Sequence, residues 1–303
     1  MTRLFTIGLG LSLLVGSAAR AEPFVFNPGD RVVFIGNTFV ERAQYNGYLE
    51  TALTLAHPKK GLTFRNLGWS GDNVYGESRA FFGKPRDGYN HLMKHVDICK
   101  PTVIVVNYGA NAAFQGEAGL ASFLEQYRTM LHDLKKRTPR LVILAPAAVE
   151  TLGPPLPDMA LQNKNLKHYT EAIARLAEEE KCHFLNLFEI SKQVLDATEE
   201  PLTDNGIHFT DEGYKALATP FAEALTGSAP DAPARFHQRV REVVLKKDEL
   251  FFHRHRPQNE TYLRGVRKHE QGRNAVEITQ FDELVEQQDR LIALLLAEMT
   301  GGK

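Results

Sequence analysis

Three polar side chains stand where apolar runs of this chain break off, and together their types could carry out acyl transfer. Thr38 ends the run Arg31-Val-Val-Phe-Ile-Gly-Asn-Thr38, Asn111 follows Thr102-Val-Ile-Val-Val-Asn-Tyr108 through Gly109-Ala-Asn111, and His208 closes Asn205-Gly-Ile-His208. Acyl transfer needs a nucleophile, a base, a group to orient the base, and donors aimed at the developing negative charge. Each residue alone also has a plainer reading. Asn37 or Thr38 can cap a helix, Asn111 can be a turn residue, and His208 can be a capping or core histidine. No metal is predicted from the histidines, and no cofactor is implied.

The elements that must position these residues alternate regularly. Strand-like runs begin at Arg31, Leu62, Thr102, Leu141 and His183, and helix-compatible stretches lie between them: Glu41 to Ala56, Asp87 to Lys100, Leu120 to Arg137 and Leu161 to Lys181. A further helix is read near Ile190 and another from Asp211 to about Leu225. Five short apolar strands joined by helices predict a parallel sheet covered on both faces, a three-layer α/β/α domain. Ligands of such sheets bind outside the carboxyl ends of the strands. Thr38 and Asn111 fall there.

The ends of the chain differ from this middle. Arg3, the apolar stretch Leu4 to Gly16, and Ala19-Arg20-Ala21 before Glu22 read as a secretory leader over residues 1–21. No later segment reaches the length of an apolar membrane span. The expectation is an exported (periplasmic or secreted) protein with no membrane span. Export permits a disulfide between Cys99 and Cys182, although two separate buried thiols are favoured. With 36 Lys and Arg against 37 Asp and Glu, no bulk charge draws the protein to nucleic acid. The α/β domain is assigned to residues 22–227. After the linker Gly227-Ser-Ala-Pro-Asp-Ala-Pro-Ala234, residues 228–303 read as a helical extension, ending in a helix with Phe281, Leu284, Leu291 and Leu295 at helical spacing.

Four segments occur in order: Gly36-Asn-Thr38, Asn66-Leu-Gly-Trp-Ser-Gly71, Gly109-Ala-Asn111 and Asn205-Gly-Ile-His208. Together they resemble the SGNH (GDSL-type) hydrolases, esterases and deacylases on a flavodoxin-like α/β/α fold. The resemblance covers roughly Arg31 to Leu225. It implies a nucleophile at Thr38, oxyanion donors at the Gly71 backbone N–H and the Asn111 amide, and a base at His208. Two positions depart from the family pattern. Thr38 stands where the family has serine, with Asn37 before it in place of aspartate. Asn205 stands where the family's acid orients the histidine. The added methyl of threonine restricts χ1 and crowds the attack path, and an asparagine cannot stabilise an imidazolium by charge. Asp204 would reach the ring if this stretch makes one helical turn, and would point away if it is extended.

Phe251-Phe-His-Arg-His-Arg-Pro-Gln-Asn-Glu-Thr-Tyr262 has two readings. It is either an anchor packing on the main domain or a cap bringing Arg254, Arg256 or Asn259 over the cleft to hold substrate beside Asn37. Asp72 and Arg79 are either a structural ion pair or substrate contacts. The expected activity is cleavage of an ester, on a small molecule or a carbohydrate. The alternatives are a catalytically inactive relative binding a carbohydrate or other ligand in the same cleft, and a structural protein self-associating through its terminal helix.

Overall fold

The computed structural model describes residues 22–81 and 83–301, so the leader lies outside the described residues. Five strands form one parallel sheet: β1 (Arg31–Gly36), β2 (Thr63–Asn66), β3 (Val103–Asn107), β4 (Leu141–Leu144) and β5 (His183–Leu185), in the order β2-β1-β3-β4-β5. Val32, Val33 and Ile35 of β1 and Val103 to Val106 of β3 are fully buried, as strands covered on both faces must be. The strand order reverses between β1 and β3, where Gly36 pairs with Asn107. A crevice opens at such a switch point, because the connections leave the two strands in opposite directions. Thr38 and Asn111 follow these two strands directly.

Helices cover both faces of the sheet: α1 (Thr38–Asn46), α2 (Tyr48–Ala56), α3 (Pro85–Cys99), α4 (Glu117–Lys135), α5 (Ala160–Glu179), α6 (Leu187–Asp196) and α7 (Asp211–Thr226). The single helix expected over Glu41 to Ala56 is in fact two. Gly47 sits between them at φ 68°, its N–H closing α1 on Ala43 O. A Cβ at Gly47 would also meet Leu245 Cδ2 at 3.1 Å, so the break lets a later helix approach closely. Cys99 and Cys182 are both free thiols.

The later helix is α8 (Ala234–His255), which packs along α1, α2 and β2. It is followed by the short α9 (Glu260–Leu263) and α10 (Lys268–Gln271), and by α11 (Phe281–Thr300), which lies against α8. Leu55, Val240, Val244, Ile292 and Leu296 form an apolar cluster of their own. The inward stripe of α11 is Val285, Ile292 and Leu296, one position on from the stripe read in the sequence, and Leu284 and Leu291 stay exposed. Helix α11 is apolar on two adjacent stripes, so its periodicity alone could not choose between them. Charged groups fix the extension as well. Lys247 is fully buried between Glu50 and Asp248, and Arg65 of β2 bonds Asp289 of α11 at 2.6 Å. Arg241 bonds Asp211 at 2.9 Å and lies 3.9 Å over the Tyr48 ring. Lys247 of α8 is buried against Glu50 of α2, so removing Glu50 would leave a buried charge short of a partner.

Candidate active site

Asn37 caps α1: its Oδ1 accepts from Phe39 N at 3.1 Å, and the residue is buried. Thr38 is therefore the first residue of the helix. Its Oγ1 accepts a hydrogen bond from the backbone N–H of Gly71 at 3.0 Å. The second segment is tied to the same helix, because Asn66 Nδ2 donates to Val40 O at 2.7 Å and Asn66 Oδ1 accepts from Gly68 N at 2.8 Å. Asn111 comes across from the end of β3 and donates to Gly71 O at 3.1 Å and Asp72 O at 3.2 Å. Thr38, Gly71 and Asn111 thus meet at one rim. Beside them a polar-lined pocket of ≈ 100 Å³ includes Tyr75, Asn111, Gln115 and Ser122.

Beneath the rim, Asp72 and Arg79 form a buried pair at 2.6 Å. Tyr108 donates to Asp72 at 2.9 Å, and Arg79 donates to Leu67 O at 2.7 Å. Of the two readings open for this pair, the structural one describes its setting. Burial and the adjacent Asp72 carboxylate push the Tyr108 hydroxyl well above its usual range, so it remains a donor.

The His208 segment is neither a helical turn nor extended. Thr203 and Phe209 form an antiparallel bridge, and Asp204 N donates to His208 O at 2.9 Å, making a tight turn. Gly206 takes φ 84° in this turn, and a Cβ there would lie 2.6 Å from Glu150 O. Glu150 holds the turn, its carboxylate accepting from Thr203 N at 2.9 Å and Thr203 Oγ1 at 2.6 Å, while its own N–H donates to Gly206 O at 2.7 Å. Sequence reasoning missed Glu150. Its only local signal is an acidic residue shortly after the fourth strand.

Within the turn, Asn205 Oδ1 accepts from Ile207 N and His208 N, each at 3.0 Å, and Asn205 Nδ2 lies 3.0 Å from His208 Nδ1. Two backbone donors at Oδ1 fix which way the amide points. Nδ2 can only donate, so the neutral ring accepts at Nδ1 and carries its proton on Nε2. Asp204 Oδ1 is 3.9 Å from the same Nδ1, while Asp204 Oδ2 bonds Arg42 at 2.7 Å. Arg42 lies one helical turn after Thr38 on the same face of α1. The Arg42–Asp204 contact therefore joins the helix of the hydroxyl to the loop of the imidazole. Both its side chains are about a third exposed or more, at 31% and 43%, and such pairs are worth roughly 0.2–1 kcal/mol. It can exchange partners at small cost. Burial first, and the Arg42 charge second, hold His208 below the usual histidine range, with Asp204 opposing them.

In the extension, the Arg254 and Arg256 side chains are both held in ion pairs. Arg254 makes a two-pronged contact to Asp282 at 2.7 and 3.0 Å, within the extension itself. Arg256 bonds Glu41 at 2.8 Å and stacks 3.9 Å from the Trp69 ring centre, tying the extension to α1 and to the second segment. Asn259 begins α9, its carbonyl accepting from Tyr262 N and Leu263 N. This is the geometry of an anchor. His91 and His95 do stand four residues apart on α3, a spacing the sequence reading passed over. Their ring centres are 4.3 Å apart, and His255 lies 6.1 Å from His95. Among the described residues, no group of three or more His, Cys, Asp or Glu side chains is placed to hold a metal ion.

A sequence model of the GDSL-like Lipase/Acylhydrolase family matches residues 29–216 of the chain, more than half of its length. The chain belongs to this family. Its members hydrolyse ester bonds, and the match takes in all four segments. An isoamyl acetate-hydrolyzing esterase of Saccharomyces cerevisiae is 27% identical over 180 residues, covering 56% of this chain and 66% of that protein. The chain thus spans just under two thirds of that relative's length. Among solved structures, a gut microbial diltiazem-metabolizing enzyme superposes with a TM-score of 0.53 at 19% identity, covering 68% of this chain and 48% of that one. A catalytic mutant of an acetylxylan esterase from Geobacillus stearothermophilus superposes with a TM-score of 0.52 at 18% identity, covering 66% of this chain and 95% of that one. At these identities the superpositions establish a shared fold for the GDSL domain.

Proposed function

We propose that this GDSL-family protein is an exported hydrolase that removes an acyl group from a small-molecule or carbohydrate ester, with Thr38 as its nucleophile. The observation that carries this reading is the Thr38 hydroxyl at the amino end of α1, 3.0 Å from the Gly71 N–H. A hydroxyl at a helix N-terminus, beside a backbone donor, sits where an oxyanion can be stabilised as it forms. Thr38 Oγ1 attacks the carbonyl carbon and its proton passes to His208 Nε2. The Gly71 N–H, and the Asn111 amide once turned from its loop carbonyls, bond the oxyanion. The alcohol leaves with the proton from Nε2, and water then hydrolyses the acyl-threonine. The polar pocket beside Asn111 and the acetylxylan esterase among the fold neighbours support a carbohydrate alcohol.

For His208 to act as a base, Nε2 must be free of its proton, so Nδ1 must carry one. The turn to Asp204 supplies that state. A small rotation of the ring, or of the Asp204 side chain, exchanges the Asn205 amide for the Asp204 carboxylate at Nδ1. In this mechanism Asp204 is the orienter and Asn205 holds the turn. A second reading is a cleft that binds its ligand without turnover. It is favoured by the 3.0 Å contact of Asn205 Nδ2 with His208 Nδ1, which holds the ring in the unreactive tautomer.

The nucleophile can be tested by trapping it. The mature protein is treated with a reactive fluorophosphonate and digested with trypsin. The account expects the mass addition on the peptide Val32 to Arg42, at Thr38. Labelling at Ser70, or none at all under conditions that label an active esterase, contradicts it.

A further inference from the structure

We infer that one internal water molecule, bound in a cavity between α1, α2, β2 and α8, joins Gln44 to Asp248 and so couples the helix that begins at Thr38 to the extension. Gln44 lies on the buried face of α1, 3% exposed, and neither Oε1 nor Nε2 of its side chain has a hydrogen-bond partner in the protein. Asp248 of α8 is also 3% exposed. Its Oδ1 makes no hydrogen bond, although Lys247 Nζ stands 3.4 Å away. Both residues line a cavity of ≈ 20 Å³, together with Glu50, Arg65 and Asn66. Asn66 is engaged with Val40 O and Gly68 N, and Arg65 with Phe64 O and Asp289. The Gln44 amide and Asp248 Oδ1 are left over. Interior polar groups are nearly always bonded, to protein or to ordered water, because burial costs them the bonds they made to solvent.

The chemistry of the lining selects water over an ion. A cavity of this size has room for one water. Water accepts from Gln44 Nε2 and donates to Asp248 Oδ1, and it serves equally well if the amide is turned the other way. A cation would meet the Gln44 Nε2 donor and the charges of Lys247 and Arg65, and an anion would meet Glu50 and Asp248. The site stands apart from the hydrolase reading, since it concerns how the extension is held on the sheet domain. Glu41 of α1 already reaches the extension directly, through Arg256 at 2.8 Å. The water adds an interior link one helical turn further along α1.

The test is a crystal structure of the mature protein, at a resolution that orders internal waters, beside that of Gln44→Met. Methionine keeps the length of the side chain and removes its donor and acceptor. The expected result in the wild type is one density peak within about 3.2 Å of both the Gln44 amide and Asp248 Oδ1. That peak is lost in Gln44→Met. No peak in the wild type, or a Gln44 amide turned onto a protein partner, overturns the inference, and so does a peak that persists unchanged in Gln44→Met. Contacts at about 2.3–2.6 Å would mark a bound cation such as calcium and overturn the assignment to water. If the variant does not fold, cross-relaxation between water and the Gln44 Nε2 protons of the wild type in solution decides the same question. A long-lived water gives that signal, and its absence overturns the inference.

Discussion

Asn205 Nδ2 stands 3.0 Å from His208 Nδ1, with the same amide's Oδ1 held by two backbone N–H groups. This relationship sets the protonation of the base. In the family pattern an acid accepts from Nδ1, whereas here an amide donates to it. The nearest carboxylate, Asp204, is 3.9 Å away and occupied by Arg42.

Replacing Asn205 by aspartate should restore the acceptor. Asn205→Asp keeps an oxygen for the two backbone donors and offers the second oxygen to Nδ1–H. The reverse change in a serine protease triad costs about 10⁴ in kcat, so a gain of at least about tenfold in ester hydrolysis is expected. Steady-state kinetics on a short chromogenic ester would show it. An unchanged or lower kcat with the fold intact would mean that the tautomer is not what limits the site.

The titration of His208 gives a check that needs no turnover. Burial and the Arg42 charge both disfavour the imidazolium, so the ring should titrate below the usual 6.5 and be neutral at pH 7. Arg42→Ala removes one of those causes and frees the Asp204 carboxylate, and both changes favour the charged form. The His208 Cε1–H resonance followed against pH should show its midpoint move upward in the variant, and the acid limb of any activity profile should move with it. A midpoint that stays put or falls would contradict the geometry assigned to Arg42.

Much of this was legible in the sequence, for one reason. The strands around the switch point are buried on both faces, so they read as unbroken apolar runs with abrupt ends. Thr38 and Asn111 could be placed at those ends before any coordinates. What escaped depended on contacts between distant segments. Glu150 acts on Thr203 and Gly206 across more than fifty residues of chain, and nothing in its own neighbourhood indicates that. The reach of Asp204 depended on the turn that Glu150 braces. The break at Gly47 reflects the approach of Leu245 from α8. Arg254 and Arg256 looked like free cations because their partners, Asp282 and Glu41, are far off in sequence.

The histidines between α3 and α8 should make the fold acid-sensitive. Burial pushes His91 down to about 3 and His95 down to about 4, and it holds His255 well below the usual range. The nearby charges of Arg79, Lys94, Arg254, Arg256 and Arg264 act in the same direction. Their folded values lie below the unfolded one, so the unfolded chain binds more protons between pH 6.5 and about 4. Stability is therefore complete above pH 6.5 and is lost as pH falls through that window, by up to about 1.4 kcal/mol per pH unit for each histidine. Urea unfolding at pH 7, 5.5 and 4.5 should show this slope, and it should be shallower in His255→Phe. A flat profile in both proteins over this range would count against the buried, neutral cluster.

The most direct test of the central claim is hydrolysis of short chromogenic acyl esters by the mature protein beside Thr38→Ala, Thr38→Ser and His208→Ala. The account predicts activity in the wild type, its loss in Thr38→Ala and His208→Ala, and its retention or increase in Thr38→Ser, where the crowding methyl is gone. Activity that survives Thr38→Ala, or inertness of the wild type and of Thr38→Ser alike, would contradict a threonine-based hydrolase.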